Sequence, residues 1–151
     1  MSAFTAAEIK YLQSQRLGRI ATVGPDGRPH VVPVGFRYNP EHDTIDIGGH
    51  DFAKRKKYRD VQRNPHVAFV VDDLASINPW RARGIEIRGE AEILETGGQG
   101  VIPGFDAEMF RIRPTRVISW GLESEAFSTS ANYYSAHNVP PQEQQGQRAN
   151  T

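Results

Sequence analysis

Apolar positions in the first third of the chain recur first with a helical period and then with a period of two. Thr5-Ala6-Ala7-Glu8 has the form of a capping box and predicts a helix that runs to about Gln15. The residues from Leu17 to Val23 suit a strand, and Gly24-Pro25-Asp26-Gly27 supplies the residue types of a tight turn. In a second strand, Arg28 to Tyr38, alternation places valine and aromatic side chains on one face.

The other face of this second strand carries Pro33 and Gly35. Proline has no amide for a neighbouring strand and glycine has no side chain. The pair therefore marks a sheet edge, a bulge, or a place where a ligand approaches the backbone closely. A short third strand, which holds Ile45 and Ile47, is expected to end at Gly48-Gly49.

A basic helix and a buried strand are predicted next. The helix spans Phe52 to Arg63 and stops before Pro65, because the residue that precedes a proline avoids the α region. The following strand, His66 to Asp72, contains the unbroken apolar run Val67 to Val71. Such a run is typical of a strand buried on both faces, so we expect this strand to be central.

The remaining pattern completes a small barrel. Apolar residues alternate with Glu and Arg from Ile85 to Ile93, a flexible loop contains Gly97-Gly98-Gln99-Gly100, and a last strand is expected around Arg116 to Gly121. Six strands with two short helices predict a mainly β fold, a six-stranded antiparallel barrel, since closure removes exposed edges. The domain should span residues 1–137, and the Gln-rich residues 138–151 should form a disordered tail.

Composition narrows the class of protein. The chain has 151 residues, with 11 Val and 11 Ile against 5 Leu, which favours strands. It has no cysteine, which excludes disulfides and thiol chemistry. No apolar run approaches the roughly 18 residues of a membrane span, so we expect a cytoplasmic protein without a membrane partner. The 18 basic and 18 acidic residues balance, which argues against binding nucleic acid through the overall field.

The strongest charge feature is the segment Lys54 to Arg63, which holds six of the 18 basic side chains. On a helix, Arg55 and Arg59 lie on one face, and the helix start adds amide donors and a positive dipole end. This combination favours a phosphate or carboxylate group near Phe52 to Arg55. A solvated helix face is the plain alternative. A local nucleic-acid patch is a third, which the scarcity of interleaved aromatic residues disfavours.

Familiar catalytic motifs are absent from the sequence. There is no nucleophile elbow, zinc-binding helix motif or phosphate loop, so any redox chemistry would come from a bound cofactor. Trp80 is either an ordinary packing aromatic or a residue that stacks on a ligand. The histidines lack metal-ligand spacing and no metal site is predicted; they are His30, His42, His50, His66 and His137.

Several of these segments, in this order, resemble one known family. They are Leu17-Gly18-Arg19-Ile20-Ala21-Thr22-Val23, Asp26-Gly27-Arg28-Pro29-His30-Val31-Val32-Pro33-Val34, Arg55-Lys56-Lys57-Tyr58-Arg59, Arg63-Asn64-Pro65-His66-Val67-Ala68 and Gly84-Ile85-Glu86-Ile87-Arg88-Gly89-Glu90-Ala91. From about residue 5 to 121 the chain resembles the pyridoxamine-phosphate-oxidase-like split barrel. More narrowly, it is similar to the branch of that family that uses the deazaflavin coenzyme F420.

The resemblance implies a set of binding residues and a homodimer with the coenzyme between its subunits. Arg55 and Lys57, helped by Lys56, would hold the cofactor phosphate. Trp80 would belong to the site of the partner subunit. The strand residues implied to edge the ring are His30, Val31, Val32, Pro33 and Val34, and those that line the approach are Gly49 and His50.

The implied activity is that of an oxidoreductase in which reduced F420 transfers a hydride to a small unsaturated substrate. No residue is assigned as acid or base. An FMN-dependent oxidase or reductase of the same fold is one alternative, and a non-catalytic carrier of a cofactor or tetrapyrrole is another. F420 carries a phosphodiester and several glutamyl carboxylates whereas FMN carries one phosphate, so the six basic groups favour the deazaflavin.

Overall fold

The computed structural model describes residues 1–122 and 133–141 of the chain. The helices and strands are α1 Ala6–Ser14, β1 Leu17–Val23, β2 Pro29–Asn39, β3 Thr44–Ile47, α2 Lys56–Arg63, β4 His66–Ser76, β5 Arg81–Leu94, β6 Met109–Trp120 and β7 Tyr134–Asn138. Two single turns of 3-10 helix lie at Phe52–Lys54 and Gly98–Gly100. In this part of the chain no helix is both long and apolar enough to span a bilayer.

The strands form one antiparallel sheet in the order β3-β2-β1-β4-β5-β6-β7, and a second pairing of β3 with β6 closes it into a barrel. Strand β6 makes this closure with its first half, where residues 110–112 pair with residues 45–47. Its second half, residues 116–120, pairs instead with β7. The predicted six-stranded antiparallel barrel is therefore confirmed, and β7 is an additional strand that pairs with the second half of β6.

The barrel core is a row of side chains in register across four strands. Ile20, Phe69, Ile87 and Val117 lie side by side on β1, β4, β5 and β6, and each is 0% exposed. Burial of a side chain of this size contributes about 1.5–3 kcal/mol. Side chains alternate between the two faces of a strand, so the residues between these core positions lie on the outer face of the sheet.

Helix α1 begins as predicted. The Thr5 hydroxyl accepts from the Glu8 amide at 3.2 Å, and the Glu8 carboxylate accepts from the Thr5 amide at 2.9 Å. Leu12 is buried and Ile9 packs at the border of the core, so the predicted apolar stripe faces the barrel. These contacts fix the helix against the sheet.

The predicted continuous helix Phe52 to Arg63 is wrong. Asp51 has a left-handed backbone (φ 51°), one 3-10 turn follows, and Arg55 is extended before α2 begins. The cause is Phe52, whose fully buried ring packs edge-on against Phe110 at 4.6 Å between centroids. Anchoring that ring in the core separates the 3-10 turn from the helix and makes Arg55 the N-cap of α2.

The region around Pro33 is a sheet edge and contains no bulge. The pairing of β1 with β2 is one-to-one throughout, from Leu17 opposite Gly35 onward. Strand β3 pairs only with residues 36–39, so Pro33 lies where β2 has a single neighbour. At Gly35 the expected close approach comes from the chain itself, because an added Cβ would lie 2.7 Å from Ile102 Cδ1 and 3.0 Å from Phe105 Cζ.

Three further expectations differ from the structure. The last barrel strand begins at Met109 instead of near residue 116, since its first half is needed to pair with β3. Strand β4 is the middle strand of the sheet, but Ala68 and Val70 on its outer face are only partly buried. Asn138 ends β7 and the Val139 amide donates to the Thr115 carbonyl at 2.8 Å. The tail prediction otherwise falls on residues 142–151, outside the described residues.

A buried ion pair fastens the barrel at its closure. The Asp46 carboxylate is 3% exposed and accepts from Asn39 Nδ2 at 2.8 Å and Thr44 Oγ1 at 2.9 Å. The Arg111 Nε and Nη2 atoms each donate to it at 3.2 Å. One carboxylate thus links β2, β3 and β6.

We predict that Asp46→Asn lowers the free energy of unfolding by about 2–4 kcal/mol, because it leaves the Arg111 charge without its partner in a mostly buried site. Urea denaturation followed by circular dichroism measures the change. The control Asp26→Asn removes an exposed carboxylate in the β1–β2 turn and should cost less than about 0.5 kcal/mol. Equal stability of the two variants would contradict the assigned role of Asp46.

Candidate functional site

The basic segment 54–63 lies on the surface around the start of α2. Lys54, Arg55, Lys56 and Arg59 are exposed, and Lys57 is partly buried. No side chain caps the first amides of α2. Among residues 1–122 and 133–141, Lys56 is the one member of the segment with an acidic ion-pair partner. The helix start therefore combines open amides with a surplus of positive charge, which is the composition of an anion site.

Lys56 forms an ion pair with a buried carboxylate, that of Asp60. Its Nζ donates to both oxygens of Asp60, at 2.9 and 3.0 Å, and Asp60 also accepts from Thr22 Oγ1 at 2.8 Å. Burial raises the pKa of Asp60, but the hydrogen bonds from Lys56 and Thr22 outweigh it and hold the pKa below its ordinary value. Lys56 was predicted to help hold a phosphate. In the structure its ammonium group instead binds Asp60 and lies beside the turn at Gly24.

Arg55 and Arg59 are held by backbone carbonyls instead of carboxylates. Arg55 Nε donates to the His50 carbonyl at 3.3 Å, and Arg59 Nη1 donates to the Lys54 carbonyl at 2.8 Å. Both guanidinium groups are thereby oriented while their charges remain without an acidic partner in the described chain. Arginine presents further N–H groups that suit a phosphate or carboxylate.

Lys57 is a partly desolvated cation. Its Nζ lies 5.4 Å from the centroid of the buried Phe52 ring. Burial lowers the pKa of Lys57, and the neighbouring positive charge of Arg55 lowers it further. The negative charge of a bound anion would offset both effects, so Arg55 and Lys57 form the part of the segment best suited to hold one.

Strand β2 divides the predicted ring-edge residues between two faces. Val31 is 64% exposed and Pro33 is also exposed, so both lie on the outer face. Val34 is buried in the core, and His30 and Val32 are partly buried on the same side of the strand. The structure therefore offers Val31 and Pro33, rather than the whole run, as a surface for a flat ring.

The outer face beside these residues is mostly apolar. Ala21 lies between Val31 and Ala68 in one row across β2, β1 and β4. In the next row Arg19 lies between Pro33 and Val70, and its guanidinium pairs with Asp72. We call these two rows the outer strip.

Gly49 and His50 lie in the connection from β3 to α2, next to the loop that joins β5 to β6. The His50 and Phe105 rings meet edge to face at 5.4 Å. The Asp106 amide donates to the Gly49 carbonyl at 3.0 Å, and the Phe52 amide donates to Asp106 Oδ2 at 3.2 Å. The signal in the sequence was one aromatic residue, Phe105, within a loop otherwise rich in Gly.

Trp80 lies away from the core. It is 70% exposed in the turn between β4 and β5. Ile77 in the same turn is 75% exposed, and Leu74 near the end of β4 is 40% exposed. The tip of this hairpin is therefore an exposed apolar surface. The placement of Trp80 in a partner's site remains a prediction.

The residues present fit an acidic coenzyme with a flat ring. Two cations without carboxylate partners in the described chain, Arg55 and Lys57, suit an anionic tail, and the exposed apolar residues Val31 and Pro33 suit the ring. The connection that carries Gly49 and His50 joins β3 to the basic segment. This arrangement can hold an anionic tail by charge and a ring by apolar contact.

A family model described as pyridoxamine 5'-phosphate oxidase matches residues 4–121. The chain belongs to this family. It is also 46% identical, over 122 residues, to the 5a,11a-dehydrotetracycline/5a,11a-dehydrooxytetracycline reductase of Streptomyces rimosus subsp. rimosus, and the match covers 81% of this chain and 86% of that one. The predicted family is confirmed, and the chain is an oxidoreductase.

Solved structures share the fold. A heme-binding protein from Mycobacterium smegmatis matches with a TM-score of 0.64 at 14% identity, covering 91% of this chain and 60% of that one. An FAD-binding protein from the same organism matches with a TM-score of 0.59 at 20% identity, covering 79% and 96%. At these identities the likeness concerns the split barrel and not the ligand.

We predict that Asp60→Asn destabilises the protein in a pH-dependent way. The folded-state pKa of Asp60 lies below its ordinary value, so its contribution is present above about pH 4 and is lost as the pH falls through the folded pKa. The expected loss at pH 7 is about 1–2 kcal/mol, modest because Lys56 is half exposed.

Urea titrations at pH 7 and pH 3 measure this difference. The difference in the free energy of unfolding between wild type and Asp60→Asn should be smaller at pH 3 than at pH 7. The exposed control Asp26→Asn should differ little from wild type at either pH. If the difference in free energy of unfolding is unchanged or larger at pH 3, Asp60 does not stabilise the fold as an ionised carboxylate.

Proposed function

We propose that this protein is a reductase that uses coenzyme F420 to reduce a conjugated, polycyclic enone related to dehydrotetracycline. The observation that carries the proposal is the pair Arg55 and Lys57, cations without a carboxylate partner in the described chain. The exposed residues Val31 and Pro33 would supply the apolar surface for the ring. The 46% identity to a dehydrotetracycline reductase supports the reaction and the substrate class.

Charge favours the deazaflavin over FMN. FMN presents one phosphate, whereas F420 presents a phosphodiester and a chain of glutamyl carboxylates. Beyond Arg55 and Lys57, the first part of the same segment holds Lys54 and Arg59 without carboxylate partners in the described chain. Four cations around the start of α2 match an extended polyanionic tail better than a single phosphate.

The residues of this chain would bind and orient rather than exchange protons. When bound, the reduced deazaflavin supplies a hydride to one carbon of the substrate's C=C bond, and a solvent proton on the other carbon completes the saturated product. Arg55 and Lys57 would fix the acidic tail, and Val31 and Pro33 would support one face of the ring. Positioning of donor and acceptor is the main catalytic contribution required of the protein.

We also propose a homodimer formed through the outer strip. Val70 and Ala68 on this strip are partly exposed in the single chain, although β4 is the middle strand of the sheet. A second copy would complete their burial and bring the Trp80 hairpin to its partner. Val70→Glu should convert the dimer to a monomer in sedimentation velocity, and an unchanged dimer would place the interface elsewhere.

We predict that Arg55→Ala and Lys57→Ala each weaken F420 binding by about 1.5–3 kcal/mol, since each loses one charged hydrogen bond to the acidic tail. Fluorescence titration of the coenzyme measures the dissociation constants. Arg63→Ala is the matched control, because it removes one positive charge from the far end of α2 and should change affinity far less.

Side-by-side titrations with F420 and FMN decide the coenzyme. Tighter binding of F420, with reduction of dehydrotetracycline by its reduced form, is the expected result. Tight FMN binding without F420 binding would establish the flavin alternative, and heme binding without turnover of either coenzyme would establish the carrier alternative. Unchanged F420 affinity in the Arg55/Lys57 double variant would reject the anion role.

A further inference from the structure

The loop between β5 and β6 is an ordered unit. Its two ends are joined, because the Gly98 amide donates to the Ala107 carbonyl at 2.8 Å. Gly98 has no room for a side chain, since an added Cβ would lie 2.1 Å from the Asp106 carbonyl oxygen. We call residues 98–107 the 98–107 loop.

The 98–107 loop is fastened to the connection that leads to the basic segment. Asp106 bonds this connection twice, through its amide to the Gly49 carbonyl at 3.0 Å and through its carboxylate to the Phe52 amide at 3.2 Å. Arg55 Nε in turn donates to the His50 carbonyl at 3.3 Å. The loop and the proposed anion clamp therefore share one support.

Two side chains of the loop lie over the outer face of β2. A Cβ added at Gly35 would lie 2.7 Å from Ile102 Cδ1 and 3.0 Å from Phe105 Cζ, so both side chains rest on this glycine. Pro33, two residues earlier on the same face, is exposed. Ile102 and Phe105 thus stand as an apolar wall at one end of the surface that Val31 and Pro33 offer to a ring.

Both wall residues remain partly exposed, and Phe105 also meets His50 edge to face at 5.4 Å. An aromatic ring on a fixed support gains from contact with a second flat ring, beyond the burial of area alone. A ligand of several fused rings could reach this wall from above the strand. A single-ring ligand that occupies only the reacting position would leave the wall unused.

We propose that Ile102 and Phe105 form the wall that makes the site select fused-ring substrates, with Phe105 as the main specificity-determining residue. This inference rests on the proposed function and assigns the substrate end of that same site. Gly35 is needed for this wall, because any larger residue at position 35 would displace the side chains of Ile102 and Phe105.

The test compares Phe105→Ala, Phe105→Leu and Ile102→Ala with wild type on two substrates, dehydrotetracycline and 2-cyclohexen-1-one. Phe105→Ala should raise KM for the fused-ring substrate about tenfold or more and change KM for the single-ring enone by less than about twofold. Phe105→Leu should recover part of the loss, and Ile102→Ala should show a smaller change in the same direction. Gln99→Ala, at an exposed position of the same loop, is the matched control.

Two binding readouts separate this inference from the proposed function. Quenching of tetracycline fluorescence reports fused-ring binding without turnover and should weaken in Phe105→Ala, while the F420 dissociation constant should stay within about twofold. Two results would contradict the proposed wall. One is a Phe105→Ala variant that loses F420 affinity while its tetracycline binding is unchanged. The other is an equal change in KM for both substrates in all three variants. If the wild-type protein neither binds nor uses F420, yet binds tetracycline in a way that depends on Phe105, the proposal of F420 as coenzyme is rejected. The proposed role of Phe105 in substrate binding is then retained.

Discussion

Concentrated positive charge without a compensating carboxylate is the constraint that organises this molecule. Within the described residues, one lysine of the basic segment, Lys56, finds an acidic partner, and that partner is the buried Asp60. Lys57 is desolvated beside Arg55, so the segment is more favourable with an external anion than alone. A coenzyme with an acidic tail and a flat ring would supply such an anion and would also use the exposed apolar residues of β2.

The rest of the fold holds this charge in place. Phe52 anchors the 3-10 turn in the core, which sets Arg55 at the start of α2. Asp106 ties the same turn to the 98–107 loop. The barrel beneath is closed through the Asp46–Arg111 pair, so the clamp, the outer face of β2 and the loop are carried on one frame.

Local patterns made most of the barrel predictable. The capping box and the alternation in β2 and β5 depend on neighbours in sequence, and they gave the helix, the strands and the faces. The break at Arg55 depends on contact of Phe52 with Phe110, and β7 depends on pairing with β6, so neither had a local signal. Phe105 was missed for the same reason, because its partners Gly35 and His50 come from distant parts of the chain.

A crystal structure of the protein with F420 bound tests the central claim most directly. The account predicts phosphate or carboxylate oxygens of the coenzyme within about 3 Å of the Arg55 guanidinium and the Lys57 ammonium, with the deazaflavin ring over Val31 and Pro33. A coenzyme bound elsewhere, with both cations facing only solvent, would contradict it.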